Sequence, residues 1–139
     1  MNYKKLLFAG AAIWLFNLVY SVITDQLLFH WVYEIQPKIW KDPAVLSSPR
    51  TIIGTIIFSL FISVVFAAIY VLISDGIPGK GLSKGAFYGL IIWILGPLAG
   101  HVMLAFTSII PQAVLGHWIV SNLISTVLSG VIVSAVYKQ

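Results

Sequence analysis

Four long apolar runs separated by short clusters of polar and turn-forming residues set the plan of this chain. They extend from about Leu6 to Leu28, Pro49 to Ile73, Lys84 to Ser108, and Gln112 to Val136. A helix rises about 1.5 Å per residue, so each run can cross the roughly 30 Å hydrocarbon core of a bilayer. Ser48 and Pro49 pair a cap with a first-turn proline and mark the start of the second run. Ser83 is the expected cap of the third. Asp75-Gly76-Ile77-Pro78-Gly79-Lys80-Gly81 breaks the chain between the second and third runs, within a loop over 74–83. Ile109-Ile110-Pro111-Gln112 leaves only a tight turn before the fourth. The longest connection, 29–48, holds Trp31, Tyr33 and Trp40 among Glu34, Lys38, Lys41 and Asp42, a mixture suited to the headgroup zone. Ile35, Ile39 and Trp40 favour a short surface helix there; Pro37 and Pro43 oppose it.

Polar residues within the runs are gathered into faces. Asn17, Tyr20, Ser21, Thr24 and Asp25 follow helical spacing and share one side of the first helix. Hydrocarbon would not solvate that side, so it is expected to point into a bundle. Thr55, Ser59, Ser63 and Ala67 form a small-residue ridge on the second helix. His117, Ser121, Ser125 and Ser129, flanked by Asn122 and Thr126, form the most polar stripe, on the fourth. The third helix carries two GxxxG pairs, Gly85 with Gly89 and Gly96 with Gly100, as helix-packing candidates. Pro97 lies at its middle, where it deprives the Trp93 carbonyl of a partner and predicts a kink.

Composition settles the class. Of 139 residues, 60% are hydrophobic and only 9% are charged, with a mean hydropathy of +1.01. A water-facing surface needs far more charge, so lipid is the expected solvent. The expected fold is an all-α integral membrane protein, a four-helix transmembrane bundle forming a single domain over 1–139. Lys4 and Lys5 before an apolar run suggest a signal peptide, but the run is too long and no small-residue cleavage site follows it. Lys4, Lys5, Lys80, Lys84 and Lys138 fall on one side, and Lys38, Lys41 and Arg50 on the other, which predicts both termini inside. The net charge of +4 is spread over loops and ends, so nucleic acid is not an expected partner. The absence of cysteine excludes disulfides and thiolate metal sites. The Gly/Lys loop at 76–81 lacks the GxxxxGK[ST] pattern and a preceding strand, which argues against a phosphate loop.

The two halves of the chain share a pattern. Lys5-x-x-Phe8-x-Gly10-x-x-Ile13-Trp14 recurs as Lys84-x-x-Phe87-x-Gly89-x-x-Ile92-Trp93. Ser59-x-x-Ile62-Ser63-x-Val65 recurs as Ser121-x-x-Ile124-Ser125-x-Val127. Both halves enter from the same side, so a duplication would be parallel, about an axis along the membrane normal. Chance matching of apolar segments is the competing explanation. In this alignment Val22 matches His101, Thr55 matches His117 and Asp25 matches Leu104, so the ionisable residues are where the halves differ.

Counted by helical rise from each helix centre, Asp25 lies about 12 Å, His101 about 7 Å and His117 about 10 Å toward the outside, with Asn17 and Asn122 near the midplane. This band is the candidate ligand- or ion-binding site. One reading is an outward-open polar pocket with Asp25 as its anion and the histidines as proton carriers or ligands. The other is an Asp–His bond that only locks helices together. His30, at the interface near Glu34, is read as simply solvated. Asp25, His101 and His117 together have donor types that suit a divalent metal. A bis-histidine haem is disfavoured because helices joined by a tight turn pack about 8–10 Å apart. A serine hydrolase lacks a nucleophile motif, and no cofactor is required.

The plan resembles that of small four-span bacterial membrane proteins, with no motif fixing a family. The expected location is a bacterial or archaeal cytoplasmic membrane. Two functions compete: binding or transport of a small molecule, ion or proton, and service as an accessory subunit. The accessory reading has the four glycines facing a partner, a second copy or a larger complex; an enzyme has no support in the sequence.

Overall fold

The computed structural model describes residues 2–35 and 39–137. Every regular element among them is helical. Four helices are long and apolar enough to cross a membrane: α1 (Tyr3–Leu28), α2 (Pro49–Gly76), α3 (Gly81–Thr107) and α4 (Gln112–Val136). Large apolar side chains such as Phe58, Phe61, Leu72, Leu95 and Phe106 stand on their outer surfaces. That is the inverse of a water-soluble bundle and fits a lipid solvent. Pro37, Lys38 and Lys138, which carry part of the turn and topology reasoning, lie outside the described residues.

Local chemistry explains where the helices start. The Asn2 side chain accepts the Lys5 N–H (3.2 Å), so α1 begins ahead of the apolar run and takes in Lys4 and Lys5. Ser48 caps α2 as expected, its Oγ accepting the Thr51 N–H (3.4 Å), with Pro49 in the first turn. Ser83 is not the cap of α3. Gly79 (φ 101°) and Gly81 (φ 54°) take up left-handed backbone that reverses the chain early, and the helix starts at Gly81. Ser83 sits inside the first turn, and its Oγ accepts the Lys80 N–H (3.3 Å). In the long connection the described residues form a 3-10 turn over His30–Tyr33 and a single α-helical turn over Pro43–Leu46; the surface helix expected around Ile35, Ile39 and Trp40 runs through residues outside those described.

Helices α3 and α4 make the most extensive contact. A Cβ on Gly85 would collide with the Gly130 carbonyl and the Ser134 hydroxyl, and one on Gly89 with the Thr126 carbonyl. Gly10 brings α1 close to α2, where an added Cβ would meet the Val64 side chain and Cα. Helix α1 also packs on α4, so the order around the bundle is α2, α1, α4, α3. Tyr88 closes that ring. It is fully buried, its hydroxyl donates to the Phe66 carbonyl (2.7 Å), and its ring lies 4.8 Å from Phe66 and 5.2 Å from Tyr70.

Closure occurs at the end of the bundle that holds the termini, where the Asn2 N–H donates to the Tyr137 hydroxyl (2.8 Å). The buried core, built on Leu6, Ala9, Ile13, Ala67, Tyr70, Tyr88 and Val133, lies toward the same end. The opposite end, here the loop end, is looser. Helix α1 widens into a π-helical turn over Val22–Leu28, and α3 does the same over Ile94–Leu98, which accommodates Pro97. Gly96 and Gly100 would have nothing within 4 Å of an added Cβ. The four candidate packing glycines therefore divide into one pair against α4 and one pair against no other helix.

Candidate functional site

The polar faces of α1 and α4 meet along one seam. Asn17 accepts from the Ser125 hydroxyl (2.6 Å) and donates to Ser129 (3.1 Å). One turn toward the loop end, Tyr20 donates to the Ser121 carbonyl (3.2 Å), and the Ser121 hydroxyl reaches the Tyr20 oxygen (3.3 Å). At the end of the seam His117 Nε2 lies 3.5 Å from Asp25 Oδ1. Asn17, Tyr20, Ser121, Ser125 and Ser129 thus bond helix to helix, while Ser21, Thr24, Asn122 and Thr126 bond carbonyls of their own helix; both lower the cost of placing polar groups in hydrocarbon.

Above Asn17 the seam opens into a cavity of about 260 Å³. Asn17, Tyr20, Ser21, Thr24 and Asp25 of α1 line one side, and Trp118, Ser121, Asn122 and Ser125 of α4 the other. The connection completes the wall with Phe29, Val32, Tyr33 and Trp40. The Trp40 indole N–H donates to the Val32 carbonyl (3.2 Å), fixing the ring to its own loop. Asp25 sits in the π-helical turn of α1. Its side chain is 37% exposed, whereas that of His117 is only 7% exposed. The carboxylate therefore has access to the cavity, and the imidazole backs it from behind, covered by the Phe29 ring at 4.2 Å.

His101 stands apart. Its Nδ1 lies 2.5 Å from the Pro97 carbonyl, one turn back on its own helix, and its ring lies 5.7 Å from Trp118. It does not line the cavity. Among the described residues no three His, Asp or Glu side chains gather as a metal site, so the Asp25–His101–His117 ligand set is not assembled. The physical reason is helix order: rise fixes a residue's height, but α3 packs on α4 and not on α1, so His101 meets Trp118 of α4 and not Asp25. Asn122 lines the cavity, with its amide donating to the Trp118 carbonyl (2.8 Å). His30 is exposed and 3.5 Å from Glu34, in solvent as expected.

Tyr33, Trp40 and Trp118 form the part of the site that sequence reasoning missed as a site. Tyr33 and Trp40 were legible only as interfacial aromatics, and Trp118 carried no signal beyond its place beside His117. Burial, and secondarily the nearby Asp25 charge, pushes the Tyr33 phenol above its ordinary range. It stays a neutral hydroxyl at physiological pH.

The chain matches no protein-family model, no curated protein and no solved structure.

Proposed function

We propose that this four-helix protein binds a small molecule or ion in the α1–α4 cavity, with the loop end outside and both termini inside. One observation carries this reading: a carboxylate near the end of an apolar span lines a cavity while its histidine partner is buried behind it. A lock between helices would have no need to leave the acid so exposed. The closed, glycine-packed end beneath the cavity makes binding the primary event; transport would require that end to open.

The same geometry supports the parallel duplication as part of this proposal. Gly10 approaches Val64 as Gly89 approaches Thr126 and Val127, and these are equivalent positions in the alignment of the two halves. Trp14 donates to Ser59 (2.9 Å) and Trp93 to the Ile119 carbonyl (3.0 Å), both across their own hairpin. The ligand site then lies where one half acquired Asn17 and Asp25 against His117 of the other.

Cysteine accessibility tests the site and the orientation together, because the natural chain has no cysteine. Ser21→Cys and Asn122→Cys are expected to react with a membrane-impermeant thiol reagent added outside intact cells, and Ser134→Cys is not. Failure of both pocket cysteines to react on either side, in protein that folds, would mean a dry seam; reaction only after permeabilisation would reverse the orientation and leave the pocket standing. The accessory-subunit reading would then lead, with the unpacked Gly96 and Gly100 as its contact surface.

A further inference from the structure

The chemistry of the cavity wall narrows the ligand, on the assumption that the cavity is the binding site proposed above. Most of its polar groups are already bonded within the bundle: Asn17 to Ser125 and Ser129, Asn122 to Trp118, Tyr20 to Ser121, and Thr24 to the Tyr20 carbonyl (2.9 Å). An anion or sugar would need convergent free donors, and this floor has few to offer. A small inorganic cation would need a shell of about six oxygens, and among the described residues a single carboxylate, that of Asp25, lines the cavity. No described lining residue is a lysine or arginine, so Asp25 sets the sign of the site.

The rest of the wall is aromatic. The Tyr33 and Trp40 rings lie 5.0 Å apart with planes at 37°. Trp40 and Trp118 lie 5.9 Å apart with planes at 80°. The three rings are differently oriented and each lines the cavity, as do Tyr20 and Phe29. An acid beside several differently oriented rings is the arrangement that holds a weakly hydrated organic cation, by charge on one side and by ring quadrupoles on the others. At about 260 Å³ the cavity is smaller than the roughly 300–1,000 Å³ typical of drug-sized ligands. We infer that the occupant is a small tertiary or quaternary ammonium group, held between Asp25 and the rings of Tyr33, Trp40 and Trp118. A choline headgroup of a neighbouring lipid and a free choline-like solute both present this chemistry.

The test uses protein purified in an uncharged maltoside detergent, titrated with choline chloride while tryptophan fluorescence is followed. Sodium chloride at equal ionic strength is the reference. A saturable change with choline and none with sodium is expected. Asp25→Asn should weaken the apparent affinity at least tenfold. Trp40→Phe, which keeps the carboxylate and changes only the loop, should weaken it several-fold. Equal responses to choline and sodium, or an Asp25→Asn variant that binds choline like the parent, would overturn the inference. If protons or sodium titrate the pocket through Asp25 and choline does not, the ammonium assignment falls while the pocket stands; if the pocket cysteines react on neither side of the membrane, both fall. In nanodiscs, loss of the choline response in phosphatidylcholine but not in phosphatidylglycerol identifies the lipid headgroup as occupant. A response in both identifies a free solute.

Discussion

The two ends of this bundle are built by opposite means. At the termini end, glycines let backbones touch, Tyr88 fills the centre, and the ring of helices closes. At the loop end, two π-helical turns widen the helices, the second glycine pair touches no other helix, and a polar cavity opens between α1 and α4. The same residue type does different work at the two ends. A GxxxG pair is a packing device only where another backbone is there to meet it.

Substituting the same residue at both ends gives the largest contrast. Gly85→Ala and Gly89→Ala drive a methyl into the backbone of α4 and are expected to cost about 2–3 kcal/mol, read as a lower melting temperature in detergent. Gly96→Ala and Gly100→Ala meet open space and should be neutral or gain up to about 1 kcal/mol from helix propensity. Equal losses at both ends would show that the loop end is packed too, against a second copy or a partner.

Asn17 stands at the boundary between the two regimes, where the seam is bonded on one side and open on the other. Asn17→Leu removes its bonds to both Ser125 and Ser129. Interhelical hydrogen bonds in membranes contribute about 0.6 kcal/mol on average and seldom more than 1.7. A loss of about 1 kcal/mol is expected, with the two serines falling back on carbonyls of their own helix. No loss would mean that apolar packing alone holds α1 to α4.

The Asp25–His117 pair should couple more weakly still. A double-mutant cycle with Asp25→Asn and His117→Ala is expected to give about 0.5–1 kcal/mol, in the range of partly exposed ion pairs. A coupling well above that would favour a structural lock and count against a carboxylate held ready for a ligand.

These contrasts also mark what the chain discloses on its own. The four spans were legible because apolar runs of this length have few alternatives. The polar stripes of α1 and α4 were legible because helical spacing alone puts Asn17, Tyr20 and Asp25 on one side. His101 was misplaced because depth can be counted along a sequence and azimuth relative to a neighbour cannot. The π-helical turn at Pro97 also changes the direction in which later residues point. Gly85 and Gly96 sit in identical motifs; only the position of α4 separates them. The loop wall of the cavity was invisible for a further reason. The contacts of Tyr33 with Trp40, and of Trp40 with Trp118, join segments that local pattern does not relate.

That loop wall is open to the most delicate test. The Tyr33 phenol titrates above its ordinary value near 10, chiefly through burial and secondarily through the Asp25 charge. The folded chain therefore holds this proton more tightly than the unfolded one. The stability linked to it is complete below the ordinary value and is lost as pH rises through the folded value. In Asp25→Asn the charge is gone and the burial remains, so the midpoint should fall part of the way and stop above the ordinary value. Ultraviolet absorbance of tyrosinate, taken as the difference from Tyr33→Phe, isolates this one residue among six tyrosines. A partial fall means that the loop closes over the carboxylate and the cavity has its aromatic wall. An unchanged midpoint means that Asp25 and Tyr33 do not share a cavity, and the looser end of the bundle is then a cleft without a lid.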